Sequence, residues 1–350
     1  MTTGTALDRT ETIDARTLDI STIPVIDFAP FRNGSGEAQR QVAQAIGDAC
    51  RHTGFFYIIN HGIPETGIDS LIHQTLRFFH QPLEEKLRLD IDHVQRHRGY
   101  VPQGALYADV NAQPDVQEGY EVSLELPSDD PDYLAGNIML GPNVWPDNLP
   151  GFQTAVYAYY ESVLGLARML LRAFEITLGL EEGWFDDKTD KPMGQLRLIY
   201  YPPQDGPIDP RRIGIGAHTD YECFTLLLQD DVGGLQVGHR NGEWIQATPI
   251  PGSIVVNIGD MLMRWTNGEF VSTPHRVVNR SGRERVSFPF FFGANHDCVV
   301  TPINRFVNDK RPARYPPTRC GWWTEMMITD VYEYRKAWRG RIPDPELDPG

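Results

Sequence analysis

Hydrophobic residues recur along the chain with two different periods, and the change from one to the other marks its organisation. Through the first half the spacing is helical. Val42, Ala45, Ile46 and Ala49 share one helix face after the turn signal Asn33-Gly34-Ser35-Gly36. A second helix is predicted from about Gly67 to His80, stopped near Pro82. The strongest helical run lies between Pro150 and Gly179. There Val163, Leu166, Ala167, Leu170, Leu171 and Phe174 trace one face, and Gly179 suits the position just past the end. Residues 24–28 and 55–59 are short apolar strand candidates, and Asn60-His61-Gly62 reads as a turn.

From about Gln195 to Asn295 the period changes. Short β-rich runs at 196–201, 224–228, 234–237, 244–247, 254–258 and 286–292 are separated by Gly, Pro and Asn. Closely spaced strands with such punctuation predict a β-sandwich or jelly roll. A last helix is predicted over residues 322–338. The chain therefore reads as α+β in four parts: a mobile tail (1–22), a helical and strand region (23–180), a jelly-roll core (190–300), and a closing helix with tail (301–350).

Composition narrows the functional classes. At 350 residues and 41% hydrophobic content the chain can bury a large core. A net charge of −15 argues against nucleic acid and anionic membranes as partners, since both would repel it. No apolar run approaches the roughly 20 residues that span a bilayer, and no signal-peptide pattern opens the chain. Cys50, Cys223, Cys298 and Cys320 form no CxxC-type pair, which suits reduced thiols in a cytoplasmic protein.

The chemistry concentrates in Gly214-Ile215-Gly216-Ala217-His218-Thr219-Asp220. On a strand, His218 and Asp220 would leave the same face. His275, in Ser272-Thr273-Pro274-His275-Arg276-Val277, offers a second imidazole. Two His and one carboxylate, with open positions beside them, suit non-haem Fe(II) that handles dioxygen. Arg285 and Ser287 repeat the i, i+2 spacing, and a guanidinium fork beside a hydroxyl suits a carboxylate. The blander readings are polar strand ends and a charged turn. A structural or sensing metal site and zinc hydrolysis are further alternatives.

Other candidates are weighed in the same way. His61 in its turn favours a structural hydrogen bond, His239 an exposed hairpin turn, and His296 a strand end or a supporting place behind the site. Arg96-His97-Arg98-Gly99-Tyr100 reads equally as a solvated surface loop or a substrate lid. Its cations point towards an anionic small-molecule substrate, such as an amino acid, peptide or carboxylated metabolite. Phe288, Phe290, Phe291, Phe292 and Trp265 are divided by strand alternation between core and pocket, with core favoured for each.

At these residues the chain resembles the isopenicillin N synthase-like branch of the Fe(II)/2-oxoglutarate-dependent oxygenases. The resemblance runs from about Pro24 to Pro302. Besides HxD…H and RxS it includes Pro24-Val25-Ile26-Asp27-Phe28, Gly54 to Pro64, Trp145-Pro146, Tyr200-Tyr201-Pro202 and Asn257-Ile258-Gly259-Asp260. It implies a double-stranded β-helix (jelly-roll) core flanked by N-terminal helices. It implies Fe(II) on His218, Asp220 and His275, with Arg285, Ser287 and Tyr201 on the distal carboxylate of 2-oxoglutarate. The implied reaction uses O2 to oxidise a small organic substrate, by hydroxylation, desaturation or cyclisation, with release of succinate and CO2. Many plant members carry Asn where this chain has Ile199, so one polar contact must be absent or supplied elsewhere. Two alternatives stay within the resemblance: an oxidase that uses no 2-oxoglutarate, as isopenicillin N synthase does, and an ethylene-forming enzyme suggested by Asp230 to Leu235. Cys223, three residues past Asp220, would be open to oxidation by the iron.

Overall fold

The computed structural model describes residues 23–94, 96–106, 115–204, 208–209 and 212–338, and the tail expected over 1–22 lies outside them. The strands that build the site are, in chain order, β1 (Val25–Asp27), β2 (Phe55–Ile59), β3 (Gly99–Val101), β4 (Glu118–Ser123), β5 (Pro192–Tyr201) and β6 (Ile215–His218). They continue with β7 (Phe224–Gln229), β8 (Leu235–Gly238), β9 (Trp244–Gln246), β10 (Ser253–Ile258), β11 (His275–Val277) and β12 (Arg285–Asn295). Eight form one sheet in the order β1-β2-β10-β7-β12-β5-β4-β3, and four form a second, β6-β11-β8-β9. All neighbours are antiparallel except β1 with β2. The N-terminal region thus supplies both edges of the large sheet, β1-β2 on one side and β4-β3 on the other. Its centre comes from residues after 190.

β12 shows how alternation divides two environments. Phe288, Phe290 and Phe292 are fully buried on the outer face, against the helix Phe152–Leu178. Tyr160 meets Phe290 edge-on at 5.4 Å, and Phe174 meets Phe224 of β7 in the same way at 5.2 Å. Arg285, Ser287, Pro289 and Phe291 point the other way and line a cavity between the two sheets. The expectation for the aromatic run therefore resolves by parity: Phe291 reaches the cavity and its three neighbours are core. Trp265 is also core, packed against Trp184 and Phe185.

The long helix forms as its periodicity predicts. Val163, Leu166, Ala167, Leu170, Leu171 and Phe174 are all buried. Gly179 ends it at φ 61°, and the Leu180 N–H returns to the Glu175 carbonyl at 2.9 Å. The C-terminal helix is shorter than expected. It spans Cys320–Val331, after which Tyr332 turns extended (φ −97°, ψ 131°) and Glu333–Trp338 continues as 3-10 helix. The cause is visible at Tyr332, whose backbone bridges Leu106 and whose hydroxyl donates to buried Glu121 at 2.9 Å. Those contacts draw the chain inward where a continuous helix would carry it past.

Candidate active site

The cavity opens between the two sheets and is lined by residues of both. Its floor is a ladder of alternating residues. Across β5 and β12, Tyr201 faces Arg285, Ile199 faces Ser287, and Gln195 faces Phe291. On the other side of β12, Gln229 faces Ser287 and Thr225 faces Phe291. The opposite wall comes from the small sheet, where His275 of β11 pairs with His218 of β6.

His218, Asp220 and His275 converge so that one ligand atom from each lies within 4.8 Å of the others. Asp220 Oδ1 is 3.6 Å from His218 Nε2 and 3.5 Å from His275 Nε2. β6 ends at His218, so Asp220 reaches this face from the loop just past the strand. The remaining heteroatom of each side chain is tied elsewhere. His218 Nδ1 donates to the Gly216 carbonyl at 2.8 Å, and His275 Nδ1 to the Thr273 carbonyl at 3.3 Å. With Nδ1 so engaged, Nε2 is in each ring the nitrogen turned towards Asp220 and open to a metal. Asp220 Oδ2 accepts from Thr225 Oγ1 and, at 2.6 Å, from Asn257 Nδ2. Burial alone would raise the Asp220 pKa, but the two imidazoles and Thr225 hold it well below the usual carboxylate range. Burial pushes His275 down to about 4, only partly opposed by Asp220. His218, half-buried, is lowered by desolvation, but its bond to Asp220 and the charge there outweigh this and raise it.

At the far end of the ladder Arg285 is 1% exposed, although it opens a strand after a charged turn. Its Nη1 donates to Ser287 Oγ at 3.1 Å, its Nη2 to Gln229 Oε1 at 3.3 Å, and its guanidinium lies 4.6 Å from the Tyr201 ring centre. Arg285 Nε and Gln229 Nε2 are buried without a partner among the described residues. Two orphaned donors beside a buried cation suit an incoming carboxylate, because an unpaired buried charge is costly. The triad meets its own test in the same way. Two imidazole nitrogens and one carboxylate oxygen, on one side of an open space, fit Fe(II) with positions to spare.

Several expectations land elsewhere. The run Arg96 to Tyr100 is neither a solvated loop nor a lid. Gly99 and Tyr100 open β3, Arg98 is 1% exposed and donates to the His97 and Met139 carbonyls, and Arg96 donates to the Asn137 and Tyr133 carbonyls. Their charges are used on backbone oxygens, which a sequence pattern does not reveal. His97 alone among them reaches the cavity. His61 is buried and its Nδ1 accepts the Ile63 N–H, as its turn implied. His239 is exposed. His296 pairs with Glu325 at 2.9 Å beside the C-terminal helix, away from the triad. Burial drives the Cys223 thiol well above its ordinary pKa, so it is no reactive thiolate. Thr225, Gln229, Arg197 and Glu222 line the site or its clamp without having been anticipated. Parity along β5 and β7 contained the signal for the first three.

Comparison with known proteins agrees with this geometry. Residues 23–148 match the family model described as non-haem dioxygenase in morphine synthesis N-terminal, and residues 192–294 match the 2OG-Fe(II) oxygenase superfamily. The chain is 38% identical over 315 residues to a 2-oxoglutarate-Fe(II) type oxidoreductase, hxnY, of Emericella nidulans, covering 89% of each. It is 36% identical over 299 residues to a homoarginine-6-hydroxylase of Glycine max, covering 82% of this chain and 89% of that one. Among solved structures, a full-length Neurospora crassa protein in complex with alpha-KG and thymine superposes with a TM-score of 0.79 at 30% identity, over 91% of this chain and 99% of that one.

Proposed function

The chain belongs to the 2OG-Fe(II) oxygenase superfamily, and from that premise we propose that His218, Asp220 and His275 hold the Fe(II) while Arg285, Ser287 and Tyr201 grip the distal carboxylate of 2-oxoglutarate. The protein is a 2-oxoglutarate-dependent oxidoreductase acting on a small molecule. The observation that carries the residue assignment is the fixing of each ligand from behind. Gly216, Thr273, Thr225 and Asn257 occupy the rear atoms and leave Nε2, Nε2 and Oδ1 facing one point.

Bound there, Fe(II) and 2-oxoglutarate supply the oxidation of a substrate C–H bond by O2, with release of succinate and CO2. The chain's part is to position and to exclude water. Asp220 stays ionised at any physiological pH because its two imidazole neighbours and two donors outweigh its burial. Arg285 meets the distal carboxylate with a guanidinium already held flat by Ser287, Gln229 and the Tyr201 ring, so little freedom is lost on binding. Ile199, at the place where many plant members carry Asn, lies opposite Ser287 and is 2% exposed. Gln229 supplies the polar contact from the strand on the other side. Phe55, Leu227 and Val277 give the cavity apolar walls, and Ile328, Val331 and Tyr332 close it from the C-terminal helix and its end.

Residues 190–300 act in this reading as the catalytic core, residues 23–180 as its edges and outer cover, and the helix after 301 as the cap. Hydroxylation is the simplest outcome of the positioning. Protein prepared without oxygen is expected to bind one equivalent of Fe(II), and Asp220→Ala to bind none under the same conditions. Equal binding by the variant would overturn the ligand set.

A further inference from the structure

Between the clamp and the Gln195–Phe291 end of the ladder sits a second buried cation that the cosubstrate assignment does not use. Arg197 lies on the cavity face of β5, four residues from Tyr201, which puts the two about 13 Å apart along the strand. It is 6% exposed. Glu121 of the neighbouring strand comes within 3.1 Å of its Nε, yet neither Nε nor Nη2 is hydrogen-bonded among the described residues. Glu121 is itself committed, accepting from Gln195 Nε2 at 2.8 Å and from the Tyr332 hydroxyl at 2.9 Å. Its carboxylate therefore balances the charge of Arg197 without filling its donors. What Arg197 lacks is an acceptor, and a net anion is not required.

Glu222 presents the reverse need. It follows the triad carboxylate in the loop after β6, is 5% exposed, and lines the same cavity. Among the described residues no side-chain donor hydrogen-bonds its carboxyl and no cation pairs with it; the backbone amides of Tyr221 and Glu222 itself donate to it, and the carboxylates of Asp220 and Asp260 stand nearby. A buried carboxyl in that condition wants an N–H or a cation from whatever occupies the space.

We infer that Arg197 and Glu222 read the substrate as a nitrogenous small molecule, Arg197 taking a carbonyl or carboxylate oxygen and Glu222 taking an N–H or a cationic nitrogen. This deepens the proposed function and rests on it, since the substrate must lie beside the triad in the space left by 2-oxoglutarate. A neutral carbonyl and N–H edge and a carboxylate with a cationic nitrogen are the two sources of this chemistry.

The test uses the full chain loaded with Mn(II) and 2-oxoglutarate without oxygen and titrated calorimetrically with thymine, L-homoarginine and phenylacetate. Thymine offers a neutral carbonyl and N–H edge, homoarginine a carboxylate with a cation, and phenylacetate an acceptor without an N–H. One of the two nitrogenous probes is expected to bind more tightly than phenylacetate. Arg197→Met should weaken that probe by about tenfold or more, the loss of a hydrogen bond to a charged group, while leaving 2-oxoglutarate binding in place. Arg197→Gln, smaller but polar, serves as the second variant should the first not fold. Glu222→Gln separates the sources: thymine binding survives it because an acceptor remains, whereas homoarginine binding weakens because an amide pairs poorly with a cationic nitrogen. Failure of both nitrogenous probes to bind, tightest binding of phenylacetate, or unchanged binding in the Arg197 variants would each overturn the inference. So would parallel loss of 2-oxoglutarate from those variants, which would make Arg197 part of the cosubstrate site. Wild type that binds no 2-oxoglutarate would instead overturn the proposed function.

Discussion

Asn257 donates through Nδ2 to Asp220 Oδ2 at 2.6 Å, the carboxylate oxygen turned away from the two imidazoles. The bond crosses from the large sheet to the loop that ends the small one. It means that the proposed metal ligand is oriented by a residue on the opposite wall.

Asn257→Leu should therefore keep the fold and lose iron. Removing a partner that orients a metal ligand costs about 10–100-fold in affinity. Calorimetric titration of the variant with Fe(II) under argon checks this, and an unchanged affinity would show that Thr225 suffices alone.

Arg285→Ala should raise the 2-oxoglutarate requirement by about two orders of magnitude, as expected when one partner of a buried charged contact is removed. Fe(II) affinity should change little, because the triad is tied through Thr225 to the Phe291 end of β12 and Arg285 stands at the other end. Steady-state KM for 2-oxoglutarate is the readout. An unaltered KM would sink the clamp.

Parity along β12 separates stability from substrate handling. Phe290→Ala empties a site packed against Tyr160 and should cost about 3–5 kcal/mol. Phe291→Ala, facing the cavity, should cost much less and alter substrate binding instead. Chemical denaturation of both variants compares them, and equal losses would contradict the facing assigned here.

A pH dependence follows from His97. Burial, together with the neighbouring Arg197, Arg98 and Arg335, pushes its pKa well below the ordinary 6.5. Below 6.5 the unfolded chain takes a proton that the folded one refuses, so this residue's contribution is present above 6.5 and is lost as the pH falls. Compared with His97→Gln, wild-type stability should decline by up to about 1.4 kcal/mol per pH unit below 6.5. Parallel denaturation curves at pH 7.5 and 5.5 read the difference, and a constant gap between the two proteins would contradict it.

Much of this was legible in the chain. The 3.6-residue period between Pro150 and Gly179 and the alternation over 286–292 reflect burial on one side of regular elements; the helix forms at Phe152–Leu178, and the strand runs longer than expected, Arg285–Asn295. His218, Asp220, His275, Arg285, Ser287 and Tyr201 all meet at one cavity; strand spacing fixes the face of the others, whereas Asp220 reaches it from the loop after β6. Other features depend on contacts distant in sequence. Arg98 is spent on the carbonyl of Met139, and Tyr332 breaks its helix to reach Glu121. Arg197 looks in sequence like any strand arginine. Only the register of β4 against β5 places Glu121 beside it and leaves its donors unfilled.

The central claim is that one cavity holds Fe(II) on the triad and 2-oxoglutarate between that metal and Arg285. Metal-free protein titrated anaerobically with Fe(II) and then 2-oxoglutarate, followed by visible absorption, tests it most directly. The account predicts a charge-transfer band that appears only when both are present and is absent in Asp220→Ala. Bound iron with no band on addition of 2-oxoglutarate would contradict it.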